Sequence, residues 1–158
     1  MRLFVLRRIV LRGTYTLLLA CKRPFELRIG KLGRVRLRKG HYYLYTGSAL
    51  GAGAASLEKR VARHRRRNKR VKWHVDYLTV RCEIIVVNAI CLHANKRLEC
   101  QINQQISFEL NGQPIIKRAG ASDCKCDGHL LSIELLDPKV IMTRLKHVYA
   151  MHGESSFL

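Results

Sequence analysis

Charge in this chain is confined to one half, and that limits what the half can fold into. Residues 1–72 carry 21 Lys/Arg against two acids, Glu26 and Glu58, whereas residues 73–158 carry nine of each sign. The formal net charge of +19 therefore belongs to the first 72 residues. Its peak is at 59–72, where nine of 14 residues are Lys or Arg. Solubility alone does not call for so one-sided a patch. It is the electrostatic footprint of a protein that meets polyanions, most often nucleic acid.

The rest of the sequence can build a core. At 158 residues and 47% apolar, the chain reads as one domain over 1–158 rather than as a disordered segment. Its longest apolar stretches, 84–87 and 89–92, fall far short of the ~20 residues that span a bilayer. No membrane partner is expected. The first 12 residues are basic and apolar but lack the continuous apolar run and small-residue cleavage site of a secretory signal. They read as an extra strand or helix packed on the domain. Without an export signal, the six cysteines are expected to be thiols of a cytoplasmic protein. Cys82, Cys91 and Cys100 lie in or beside apolar segments and read as small core residues.

Periodicity predicts an α+β fold, a small central antiparallel sheet flanked by helices. Residues 13–21 and the aromatic stretch 41–47 read as strands. Between them, 25–29 and 35–38 alternate apolar and polar around a Gly-Lys-Leu-Gly turn, which predicts an inserted hairpin. A basic helix is predicted over 57–67, with Ser56 as N-cap and Glu58 in its first turn. Residues 73–80 are ambiguous between a strand and a short helix, and 83–92 read as a buried strand. The i, i+4 stripe Leu98, Ile102, Ile106, Leu110 predicts a helix over 95–110, with Glu99 beside the stripe. A last strand at 133–136 and a short segment at 142–149 complete the chain.

Gly13-Thr14-Tyr15 followed by Tyr45-Thr46-Gly47 resembles the paired motifs of the GIY-YIG nuclease superfamily. That family places an Arg and, four residues on, often a His on the next helix, as in Arg60 and His64. A metal-binding Glu on a later helix matches Glu99. The chain is also similar to an uncharacterised GIY-YIG-like domain family of prokaryotes. That likeness rests on Gly30-Lys31-Leu32-Gly33, Tyr45-Thr46-Gly47-Ser48-Ala49, Arg63-His64, Trp73-His74-Val75-Asp76-Tyr77-Leu78 and Gly120-Ala121-Ser122-Asp123-Cys124-Lys125-Cys126. It covers 13–131, leaving 1–12 and 132–158 as terminal extensions packed on that core. One departure stands out: 29 residues separate Tyr15 from Tyr45, where family members have a short link. The inserted hairpin either extends the nucleic-acid surface or alters how the two tyrosines face each other.

The resemblance implies a Mg²⁺- or Mn²⁺-dependent endonuclease acting on DNA ahead of RNA, with Tyr15, Tyr45, Arg60, His64 and Glu99 as its site. Phosphodiester cleavage needs an activated water, a stabiliser for the non-bridging oxygens and help for the leaving oxygen. A carboxylate such as Glu99 suits Mg²⁺, and an Arg fork suits phosphate. The base is a tyrosine or His64. A tyrosine needs its pKa of about 10 lowered, and neighbouring cations would do that. His64 titrates closer to neutrality without help.

Arg63, Arg65, Arg66, Arg67, Lys69, Arg70 and Lys72, with Arg36 and Arg38 of the hairpin, are the expected docking cations. His74 is a candidate extra group at the site. Cys124, Cys126 and His129 can supply three zinc ligands, with Asp123 or His74 as the fourth. The rival reading is a non-catalytic nucleic-acid-binding module on the same fold, an adaptor in repair or RNA metabolism. A third is a zinc-stabilised ribosome- or RNA-associated protein.

Overall fold

The computed structural model describes residues 12–51, 56–134 and 137–158. The class is α+β, as the periodicity predicts. In chain order the elements are β1 (Gly13–Cys21), β2 (Phe25–Ile29), β3 (Gly33–Leu37), β4 (Tyr42–Ala49), α1 (Leu57–Arg65) and α2 (Asp76–Thr79). There follow β5 (Ile84–His93), α3 (Glu99–Glu109), β6 (Gln113–Pro114), β7 (Leu130–Ile133), α4 (Pro138–Ala150) and β8 (Ser155–Phe157). Six strands form one antiparallel sheet in the order β6-β7-β4-β1-β5-β8. β2 and β3 form the separate hairpin inserted between the two tyrosine motifs.

The sheet is covered on both faces, which is why β1 is apolar almost throughout. Successive side chains of a strand point to opposite faces. Tyr15, Leu17 and Leu19 therefore join Tyr43 and Tyr45 against α1, α2 and the hairpin. Leu18 and Leu44 face the other way, onto Ile102 and Ile106 of α3 and Leu145 of α4. Gly13 opens β1 at a point of close approach: a Cβ there would lie 1.8 Å from the Leu92 carbonyl oxygen.

Several boundaries differ from the periodicity. α1 stops at Arg65, because Arg66 is extended. Residues 73–80 resolve as the short helix α2. α3 begins at Glu99, four residues later than the stripe suggests. That places Glu99 in the first turn, where a carboxylate complements the helix dipole. The last predicted strand lies earlier, at Leu130–Ile133. The 142–149 segment belongs to the longer α4, which starts at Pro138 behind its cap Asp137. β6 and β8 are too short to show alternation. The packing expected of residues 1–11 lies outside the described residues. Among the described residues no helix is long and apolar enough to cross a membrane.

Candidate active site

The site forms where β4 outruns its neighbour. β7 pairs with β4 only as far as Tyr45, and beyond it Gly47 and Ser48 border a cavity of about 520 Å³. Arg60 of α1, Trp73 and His74 before α2, and Glu99 of α3 supply further walls. Asp123 and His129 close it from the long connection between β6 and β7. Tyr45, Arg60 and Glu99 thus line one cavity, whereas Tyr15 and His64 are fully buried behind it.

Those two are joined directly: the Tyr15 hydroxyl lies 2.8 Å from His64 Nε2. The Tyr45 ring stands edge-on to Tyr15, at 6.1 Å between centroids. Gly47 makes this arrangement possible, because a Cβ at that position would lie 2.8 Å from the Tyr15 hydroxyl and 3.2 Å from the Tyr45 ring. Gly120 does the same on the far side, where a Cβ would come within 3.0 Å of Tyr45.

Asp76 anchors the buried end of this chain. Its Oδ1 is 3.5 Å from His64 Nδ1, an electrostatic contact rather than an aligned hydrogen bond, since Nδ1 has no partner of good geometry. Arg63 grips the carboxylate at 2.9–3.0 Å, and the backbone N–H groups of Lys72 and Trp73 donate to Oδ2 at 2.9 and 3.0 Å. Burial alone would raise the Asp76 pKa. The His64 imidazole beside it, with hydrogen bonds from Arg63 and the two backbone groups, outweighs burial and holds the acid far below the usual carboxylate range. From the sequence Asp76 reads only as part of a supporting or structural cluster over Trp73–Tyr77, although it is the sole acid between Glu58 and Glu83. A lone carboxylate just beyond the most basic stretch of the chain was the signal.

The protonation states follow from burial. Tyr15 is pushed well above its ordinary value and Tyr45 up to about 12, with only Arg60 among the nearby cations pulling either down. The expectation that surrounding Arg and Lys would favour a phenolate therefore fails, because desolvation exceeds their effect. His64 is pushed down by burial and is neutral at pH 7. With the ring proton on Nδ1, toward Asp76, its Nε2 accepts from Tyr15.

On the opposite wall, Glu99 accepts hydrogen bonds from Ser48 Oγ and from Arg97 Nε (2.6 Å). Arg97 also reaches Asp123, at 2.6 Å, so one guanidinium bridges two carboxylates. Glu99, Asp123 and Ser48 together are a hard-oxygen donor set of the kind that suits Mg²⁺. Arg97, half exposed, is the cation that would have to yield to the ion. Arg60 donates to the Ser48 carbonyl at 2.7 Å and lies 4.8 Å from the Trp73 ring centre, keeping its fork at the pocket edge.

A protein-family model matches residues 14–151, a span that holds every residue of this site. The chain belongs to the family described as Domain of unknown function DUF123. No curated protein and no solved structure matches it.

The expected docking cations of this DUF123 chain divide into two groups. Arg65, Arg66, Arg67, Arg70 and Lys72 are exposed. Arg63 and Lys69 are turned inward instead. Arg63 is bound to Asp76, and Lys69 donates to the His64 carbonyl and the Thr79 hydroxyl at 3.0 and 2.7 Å. The buried acid draws both away from solvent. Arg36 and Arg38 border a different cavity, with His41 and Arg144.

Elsewhere in the DUF123 chain, Cys100, Cys124, Cys126 and His129 converge, with one ligand atom from each lying within 4.8 Å of all the others. The cluster can hold a metal ion. Its fourth member is Cys100, not Asp123 or His74. Asp123 is engaged by Arg97, and His74 Nδ1 accepts the Gly120 N–H at 2.9 Å. Cys82 is exposed rather than a core residue, whereas Cys91 is buried as predicted.

Proposed function

We propose that this DUF123 chain is a metal-dependent endonuclease of GIY-YIG type, hydrolysing phosphodiester bonds in DNA or structured nucleic acid. The observation that carries the reading is convergence. Residues remote in sequence meet at one polar cavity, with Tyr45, Arg60 and Glu99 on its walls and the Tyr15–His64 bond behind it. Lys72 lines the cavity, and Arg65, Arg66, Arg67 and Arg70 of the same run are exposed.

In this reading the oxygen of a water forms a bond to phosphorus, and the bond to the leaving sugar oxygen breaks. Tyr45 orients the water. The water's proton passes to the Tyr45 oxygen, Tyr45 passes its own to the neighbouring Tyr15 hydroxyl, and the Tyr15 proton moves to His64 Nε2. Asp76 stabilises the resulting imidazolium, as a carboxylate held ionised does. Arg60 meets the non-bridging oxygens with two donors, a match that Lys would not reproduce. Glu99, with Asp123, would hold Mg²⁺, which supplies charge neutralisation at the phosphate and the leaving oxygen. The sulfur-rich cluster suits zinc instead.

Purified protein should nick plasmid DNA with Mg²⁺, and Glu99→Ala should abolish nicking while retaining binding. Absence of cleavage on duplex, branched and RNA substrates with Mg²⁺ and Mn²⁺ would refute the enzyme reading. A specific observation favours the rival in that case. Glu99 is already neutralised by Arg97, and Tyr15 has no access to the cavity. A non-catalytic nucleic-acid-binding module would bind with steep salt dependence and be indifferent to Glu99.

A further inference from the structure

We infer that Cys100, Cys124, Cys126 and His129 bind one zinc ion that clamps the first turn of α3 to the connection between β6 and β7. Tetrahedral zinc with Zn–S of about 2.3 Å and Zn–N of about 2.0–2.1 Å needs ligand atoms roughly 3.6–3.8 Å apart. Cys124 Sγ and His129 Nε2 already stand at 3.6 Å, and no pair in the set exceeds 4.8 Å. The four donors close to that geometry with small side-chain movements. Three thiolates and an imidazole select zinc over the oxygen-seeking Mg²⁺. Four protein ligands leave no open position, which marks a structural rather than a catalytic ion.

The connection itself needs such a tie. Residues 115–129 contain no helix or strand. Loops of about 12–15 residues without structure of their own are uncommon in compact domains. Hydrogen bonds fix parts of this one: His129 N–H donates to the Ala119 carbonyl at 2.8 Å, and Arg118 Nη1 donates to the Cys126 carbonyl at 2.8 Å. Asn103 of α3 reaches the Gly128 carbonyl at 2.9 Å. A metal would add a cross-link between this loop and α3 at Cys100. A Cys124–Cys126 disulfide would leave both Cys100 and His129 without purpose in the cluster.

The ligand positions give the clamp a consequence. Cys100 follows Glu99, Cys124 follows Asp123, and His129 lines the cavity. The ion would therefore fix the relative position of the two carboxylates that Arg97 bridges. The metal assignment does not depend on the pocket being a nuclease.

The test measures metal in the full-length protein, without nucleic acid. Purified wild type should contain about one zinc per chain. Cobalt reconstitution should give intense tetrahedral d–d bands with a thiolate-to-cobalt charge-transfer band. Cys100→Ser and Cys124→Ser should each lower zinc affinity by more than the roughly 10–100-fold typical of losing an outer-shell partner, whereas Cys82→Ser should not. Chelation should speed amide exchange in 98–102 and 115–129. Folded wild-type protein that binds no zinc, or binds cobalt with an octahedral spectrum, would overturn the assignment. So would wild-type affinity in Cys100→Ser, or exchange unaltered by chelation. Should the cysteine variants aggregate, wild-type stoichiometry and spectrum decide alone.

Discussion

Gly47 shows how one absent Cβ organises the site. Its neighbours are the Tyr15 hydroxyl and the Tyr45 ring, so Gly47→Ala must displace one of them in a packed interior. Overpacking of this kind costs about 1–3 kcal/mol, and calorimetry should show a lowered Tm together with loss of activity. Asp76 is the second sensitive residue. Asp76→Asn leaves Arg63 and Lys69 without their buried counter-charge, a loss that runs to about 3–5 kcal/mol. The wild type should also carry an acid limb. Asp76 has a folded pKa below its unfolded value, so its contribution is complete above about pH 4. It is lost as pH falls toward the folded value. His64, likewise lowered, adds a loss beginning below about pH 6.5. Denaturant titrations at several pH values should show stability falling on acidification, and Asp76→Asn should flatten the lowest part of the curve. That Tyr15, Tyr45, Arg60, His64 and Glu99 gather at or behind one cavity was legible in the sequence because motif order carries them. Asp76 was not, because its role depends on Arg63 and His64 folding back over it, and no short spacing encodes that.

The inserted hairpin is the element whose sequence and structure agree most closely. Alternation alone gave two strands with apolar residues on one side, and Ile29 and Leu37 are buried while Glu26, Arg28, Arg34 and Arg36 are exposed. Register adds what alternation could not: Arg28 lies directly opposite Arg34, with no acid between them. Like charges in that position oppose pairing. A double change, Arg28→Gln with Arg34→Gln, should therefore hold or raise Tm while weakening nucleic-acid binding. A fall in Tm with unchanged binding would show the pair to be structural. Helix boundaries were less legible. The apolar stripe of α3 includes Leu98, yet the helix proper starts after it. An apolar stripe reports the buried face and not where the backbone hydrogen bonds begin. The cysteine cluster was legible only in part. Cys124, Cys126 and His129 are near in sequence, whereas Cys100 comes from α3 and reads as an ordinary apolar helix position.

Across the whole molecule, the basic run separates into charges that face solvent and charges that hold the fold. That separation gives salt dependence a specific form. Each phosphate contact on duplex DNA contributes about 0.9 to the slope of log K against log salt. Arg66, Arg67 and Arg70 are exposed, so replacing all three with Gln should reduce the slope by about 2.7. Tm should stay near that of the wild type. Arg63→Gln and Lys69→Gln should behave in the opposite way. Their cations serve Asp76 and the end of α1, so stability should fall and the slope should hold in whatever fraction remains folded. Binding isotherms from 50 to 200 mM salt, with thermal unfolding of the same variants, separate the two sets. If Arg63→Gln changes the slope as much as Arg66→Gln does, the buried pair with Asp76 opens on the nucleic acid. The charge at 59–72 would then act as one surface instead of two.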